Sequence, residues 1–138
     1  MKINFNDIKK LFAFPIFVFL LNVVLNNFFH PIYVEYRLDI LTHFLGGMSI
    51  AYGAYYAIDI AKRADIIKIK NLFLKVLLIL AIVMAAAVVW EFCEFFPDYL
   101  LGTNNQAKNF ETMKDLIIGT VGGIVISLYF FRCEYYAL

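Results

Sequence analysis

Glu91 and Glu94 are the residues of this chain best placed to do chemistry. They stand three apart, so a helix puts both on one face. They close a long uncharged stretch and lie among Trp90, Phe92, Phe95 and Phe96. Near a helix C-terminus the backbone dipole disfavours negative charge, and no cation lies within a turn of either residue. Something has to neutralise them: protons, a histidine or a bound metal ion. Two other pairs have the same character. Asp39 and His43, four apart, open a second apolar stretch, and Glu111 and Asp115, four apart, open a third. Asn22, Asn26 and His30 form a polar stripe at four-residue spacing on the first stretch. A charged side chain at the centre of a membrane helix costs about 2.5–3.5 kcal/mol on insertion scales, so ionisable groups in such stretches are functional suspects.

Carboxylates with one histidine make an oxygen-rich set suited to a divalent metal such as Zn²⁺, Mn²⁺ or Mg²⁺. The expected ligands are His43, Glu91, Glu94, Glu111 and Asp115. The expected acid–base groups are Glu91, Glu94, His43 and Asp115, supported by Asp39, Asn22, Asn26 and Trp90. Helical bundles build di-metal sites from inward Glu residues and Glu-x-x-His motifs, and the pairs here are similar in kind. The chain has no HExxH, no Cys/His cluster and no Gly-x-Ser-x-Gly. Ordinary structural roles compete for several of these residues. Asp39 can cap a helix and Glu111 can sit at a helix start, where the dipole favours it. His43 can pack beside Phe44 and bond Asp39, and the asparagines can serve as interhelical glue. Glu91 and Glu94 have no such alternative.

The elements that position these groups follow from composition. Of 138 residues, 63% are hydrophobic and 18% aromatic, with mean hydropathy +0.77, far above a soluble domain. That predicts an all-α polytopic membrane protein forming one domain over residues 1–138. At about 20 residues per crossing, four spans are expected, at 11–29, 41–61, 72–96 and 116–131, with a short outer-side connecting segment between the first two. Pro97 is expected to end the third helix and open a polar loop over 97–110. The apolar run after Lys9 and Lys10 has no small-residue cleavage site and reads as a retained helix rather than a signal peptide.

Orientation comes from the basic residues. Lys2, Lys9, Lys10, Lys62, Arg63, Lys68, Lys70, Lys75 and Arg132 share one side, against Arg37, Lys108 and Lys114 on the other. The positive-inside rule then puts both termini in the cytoplasm and the polar pairs in the outer half of a cell (inner) membrane. Ser49, Gly53, Ala57 and Ala61, and the pair Gly119 and Gly123, mark close helix approaches. Net charge is +1, which excludes a basic nucleic-acid surface. Cys93 and Cys133 fall on different helices near opposite ends, which argues against a disulfide.

The segments Asp39-Ile40-Leu41-Thr42-His43-Phe44-Leu45-Gly46-Gly47, Trp90-Glu91-Phe92-Cys93-Glu94 and Glu111-Thr112-Met113-Lys114-Asp115-Leu116, followed by Gly119, Gly122 and Gly123, resemble three signatures of YjdF-like membrane proteins. That group is similar in turn to the wider VanZ-like set. The resemblance spans residues 35–127 and implies a small multi-helix inner-membrane protein with a polar site on the outer side. The chain departs from the VanZ-like pattern at Ile40, where Lys is usual, at Glu94, where Gln is usual, and at Gly119, where Asn is usual. Glu111 stands where YjdF-like proteins more often carry Asp.

Three functions fit these features. The first is an enzyme acting on a lipid-borne or cell-envelope substrate that enters from the outer leaflet. The second is a non-enzymatic accessory or assembly subunit of a larger membrane complex. The third is a small proton- or cation-coupled transporter, for which Asp59 is the one candidate relay group in the inner half. The partners implied are the lipid bilayer and either such a substrate or such a complex.

Overall fold

Every apolar stretch of the chain folds as an α-helix. The computed structural model describes residues 4–102 and 109–136, and among these residues there is no strand. Helix α1 (Phe5–Phe28) starts at a capping box: Asn4 accepts from the Asp7 amide at 2.9 Å, and Asp7 accepts from the Asn4 amide at 3.2 Å. A short α2 (His30–Glu35), with Pro31 in its first turn, leads into α3 (Leu38–Arg63). Arg37 makes that junction in the left-handed region, at φ 49°. Helix α4 (Leu72–Leu101) is capped by the Asn71 side chain on the amides of Phe73 and Leu74. Helix α5 is Asn109–Tyr135.

Helices α1, α4 and α5 are long and apolar enough to cross a membrane. The sequence predicts a fourth crossing over 41–61. The α3 helix that contains it has the length, at 26 residues, but is not among the three. The reason lies in its composition. α3 is the central helix, packed against α1, α2, α4 and α5, and its buried positions include Thr42, Gly47, Ser49, Ala51, Gly53 and Ala54. A helix enclosed by others is selected for small side chains that admit neighbours, not for greasiness.

The expected stop at Pro97 is a second correction. α4 continues through Pro97 to Leu101 and ends at Gly102, whose φ of 67° and amide bond to the Asp98 carbonyl make a left-handed C-cap. Proline removes one amide and biases the residue before it, but it leaves the later backbone bonds intact, and the Gly102 amide closes the last turn on the Asp98 carbonyl. The polar loop expected at 97–110 is therefore helical up to Leu101, and Thr103, Asn104, Asn105 and Gln106 lie outside the described residues.

Packing runs through glycines. A Cβ on Gly47 would fall inside the Gly119 carbonyl, and one on Gly122 inside that of Phe44, so α3 and α5 run parallel with backbones touching. Gly123 meets Val83 of α4, and Gly53 faces the Leu11 carbonyl of α1, which Pro15 deprives of its helical hydrogen bond. Ala51, Ala54, Ile58, Ile79 and Val83 form the small buried core. The large apolar side chains mostly face outward, among them Phe12, Ile16, Leu77, Val89, Ile117, Val121 and Leu128. That is the inside-out distribution expected of a protein whose solvent is lipid. Cys93 and Cys133 are free thiols, both exposed.

Two charged networks close the end of the bundle that holds the helix α3–α4 connection. Arg63 binds Asp7 at 2.6 Å and Asp59 at 3.1 Å, tying α1 to α3. The hydrogen bond to Asp7 holds the Arg63 guanidinium above its ordinary pKa. Lys75, 4% exposed, pairs with Glu134, which also accepts from the Tyr55 hydroxyl at 2.6 Å. The Lys75 ammonium lies 3.9 Å from the centroid of the Tyr55 ring, which in turn stacks on Phe130. This end of the bundle, where the sequence offers Asp59, thus also holds the buried Lys75–Glu134 pair.

Candidate functional site

At the opposite end, α3 and α5 start side by side and α4 finishes beside them. His43 is five residues into α3 and Asp115 six into α5, so both sit about 8–9 Å below the helix starts. Glu91 comes in from α4, ten residues before its end. The structure brings one ligand atom from each of these three to within 4.8 Å of the others. The His43 Nε2 and Asp115 Oδ2 atoms are 3.8 Å apart. Glu91 is 7% exposed and Asp115 is 8% exposed. Asp115 Oδ1 is buried without a hydrogen-bond partner.

The remaining acidic residues are sorted by two cations. Lys114 binds Asp39 at 3.1 Å and pairs with Glu111, while Arg37 reaches Glu111 at 2.7 Å. Asp39 and Glu111 therefore have their counter-charges outside the His43 group. Asp39 lies in the first turn of α3 rather than capping it, since Arg37 holds the cap position. Lys114 also approaches Asp115 Oδ1, but at 3.6 Å it makes no hydrogen bond. Glu94 accepts from the Trp90 indole at 2.8 Å.

α1 and α2 complete the wall. The Tyr33 hydroxyl bridges Asn22 (3.1 Å) and Thr42 (3.2 Å), and His30 meets Asn26 at 3.1 Å. Burial pushes the Tyr33 phenol above its ordinary pKa, keeping it neutral and able to donate. The Tyr33 proton goes to Asn22, so the one Thr42 proton is shared between the Tyr33 oxygen and the Asp39 carbonyl, 3.0 Å away. The polar cavity has a volume of about 480 Å³, and Asn26, Tyr33, His43, Glu91, Glu94 and Asp115 are among its walls. Beside it lies an apolar crevice of about 340 Å³ between α1 and α4, floored by Gly46, Gly47 and Gly119. His43 and Asp115 border both spaces.

The family described as predicted membrane protein (DUF2238) matches residues 2–135. The chain belongs to that family. No curated protein and no solved structure matches it.

In this DUF2238 chain the residues expected at the site divide three ways. His43, Glu91 and Asp115 come together, Glu94 stands in the same cavity on an indole hydrogen bond, and Asp39 and Glu111 are drawn off into ion pairs. Asn22 and Asn26 line the two spaces as hydrogen-bond acceptors. Sequence reasoning missed Lys114, Tyr33 and Thr42. Lys114 was legible: it stands three residues after Glu111, where a helix brings opposite charges together. Tyr33 was not, because its contacts to Asn22 and Thr42 depend on how α2 folds back.

Proposed function

We propose that His43, Glu91 and Asp115 hold one divalent metal ion, Zn²⁺, Mn²⁺ or Mg²⁺, in a four-span protein of the inner membrane with cytoplasmic termini. In this reading the site acts on a lipid-borne or cell-envelope substrate from the outer leaflet. The observation that carries it is the Asp115 oxygen: buried, without a hydrogen bond, and beside an imidazole and a second buried carboxylate. A buried carboxylate oxygen that accepts no hydrogen bond is costly, and Lys114 at 3.6 Å does not supply one, so a cation held between the three ligand atoms would satisfy it. The donor set fits. A tetrahedral ion with bonds of about 2.1 Å sets neighbouring ligand atoms about 3.4 Å apart, and the 3.8 Å between His43 and Asp115 is close to that. One nitrogen and two oxygens leave a coordination position for water or substrate.

A bound ion of this kind would polarise a phosphoryl or carbonyl oxygen and acidify bound water. The chain's own residues do the rest. Glu94, fixed by Trp90, faces the same cavity and is positioned to take or give a proton. Tyr33, Asn26 and His30 offer polar groups at its far wall. The YjdF-like and VanZ-like resemblance supports the same outer-side location. The nine-to-three split of basic residues supports the orientation. A proton relay is the weaker reading, because Ala51, Ile79 and Val83 separate the two polar ends. The hydroxyls of Ser49 and Ser127 also donate to their own helices, at 2.8 and 2.7 Å.

Elemental analysis of protein purified in mild detergent and equilibrated with Zn²⁺, Mn²⁺ or Mg²⁺ tests this. About one retained ion per chain is expected, and none in Asp115→Asn or His43→Ala, with the helical signal and thermal unfolding close to wild type. Because the ligands must be deprotonated, uptake should also fall as the medium is acidified. A wild type that retains no more metal than Asp115→Asn overturns the assignment.

A further inference from the structure

The apolar crevice is built around a glycine that helix packing does not need. Gly47 and Gly122 are required for the α3–α5 contact, since a Cβ on either would meet a backbone carbonyl. Gly46, one residue earlier, is different: a Cβ there meets nothing within 4 Å. Glycine in mid-helix is unfavourable relative to alanine, so a residue with free space around it calls for another explanation. Gly46 faces the crevice between α1 and α4. Those two helices make no backbone packing with each other and are bridged by the edge-to-face contact of Phe19 with Trp90, at 6.1 Å.

We infer that this crevice is the seat of one hydrocarbon chain of a membrane phospholipid whose headgroup lies in the adjoining polar cavity. The inference rests on the reading of that cavity as a site for a lipid-borne substrate and names the substrate class. Three observations carry it. The crevice is continuous with the polar cavity through His43 and Asp115, which line both. Its walls are otherwise nearly all apolar or small, including Pro15, Val18, Ile50, Val83 and Ala87. The buried Asp115 oxygen that accepts no hydrogen bond marks the boundary where an apolar tail must give way to a polar group. Size selects the occupant. A volume of about 340 Å³ is at the low end for ligand pockets. A helix about 10 Å across would fill it in roughly 4 Å of length, so less than one turn of a partner helix enters. A single extended chain fits, with the second chain of the lipid left in the bilayer.

The test uses the full chain reconstituted in phosphatidylethanolamine vesicles containing phosphatidylglycerol with a photoactivatable diazirine in one acyl chain. Adducts mapped by mass spectrometry are expected on Ile50, Ala87 and Val18 at several times the yield on Leu77 and Leu128, which face outward. Gly46→Leu, which fills the crevice from its floor, should cut the crevice adducts at least five-fold. Outward adducts and retained Zn²⁺ should stay unchanged. Ala87→Phe, which blocks the crevice from α4, guards against a folding defect peculiar to the first variant. Adducts that simply follow exposure, or that persist in both variants, overturn the inference. Crevice adducts in a protein that retains no metal would leave the tail seat standing and remove the metal site, so the two failures are separable.

Discussion

At the scale of single residues, the site is organised by which carboxylates are given a cation and which are not. Lys114 is the hub, holding Asp39 and Glu111 and standing 3.6 Å from Asp115. Removing it is informative because stability and metal affinity should move in opposite directions. Lys114→Met is expected to lower stability by about 1–3 kcal/mol, since charge-assisted hydrogen bonds to partly buried carboxylates are lost. The same change removes a positive charge beside Asp115, so the affinity for a divalent cation should rise several-fold. Thermal unfolding in detergent and metal titration read the two effects. If Lys114→Met abolishes metal retention, Lys114 is not a competitor of the metal, and the division of the acidic residues described above fails.

At the scale of elements, adjacent glycines on α3 should behave as opposites. Gly47→Ala drives a methyl group into the Gly119 backbone, which no rotamer change can relieve, so α3 and α5 must separate. Overpacking of side chains alone costs about 1–3 kcal/mol, and a backbone collision should reach or exceed that range. Gly46→Ala meets open space and should be neutral or stabilising by up to about 1 kcal/mol through helix propensity. Equal melting temperatures for the two variants would mean that the helices do not cross at Gly47. The sequence makes the helices legible because long apolar runs admit no other structure in lipid. It does not reveal which glycine is structural, since Gly46 and Gly47 differ only in what faces them. The same limit hid the Lys75–Glu134 pair, whose members stand 59 positions apart, and the run of α4 past Pro97 to the Gly102 cap. The meeting of His43, Glu91 and Asp115 was half visible: the pattern placed them at one depth, but not which acidic neighbours Lys114 would claim.

At the scale of the whole molecule, two polar ends are separated by a thin apolar middle, and they differ in kind. At one end the acidic groups Asp7, Asp59 and Glu134 are each held by a cation, Arg63 or Lys75, which suits a structural clamp. The other holds a buried carboxylate oxygen without a hydrogen bond. The excess of Lys and Arg lies with the paired end, so that end should face the cytoplasm. The α3 helix decides the topology: it must cross for the two ends to lie on opposite sides with both termini together, although its own hydropathy is modest. Its packing against α1, α4 and α5 would make such a crossing tolerable, because its buried small and polar residues meet protein rather than lipid. Single cysteines at exposed positions at its two ends, Glu35→Cys in α2 and Asp65→Cys after α3, in a chain with Cys93→Ser and Cys133→Ser, test this directly. A membrane-impermeant maleimide added to intact spheroplasts should label the Glu35→Cys chain at once and the Asp65→Cys chain only after permeabilisation. Labelling of both from outside would mean that α3 does not span. Labelling of Asp65→Cys alone would invert the protein and put the His43, Glu91 and Asp115 group against the cytoplasmic leaflet.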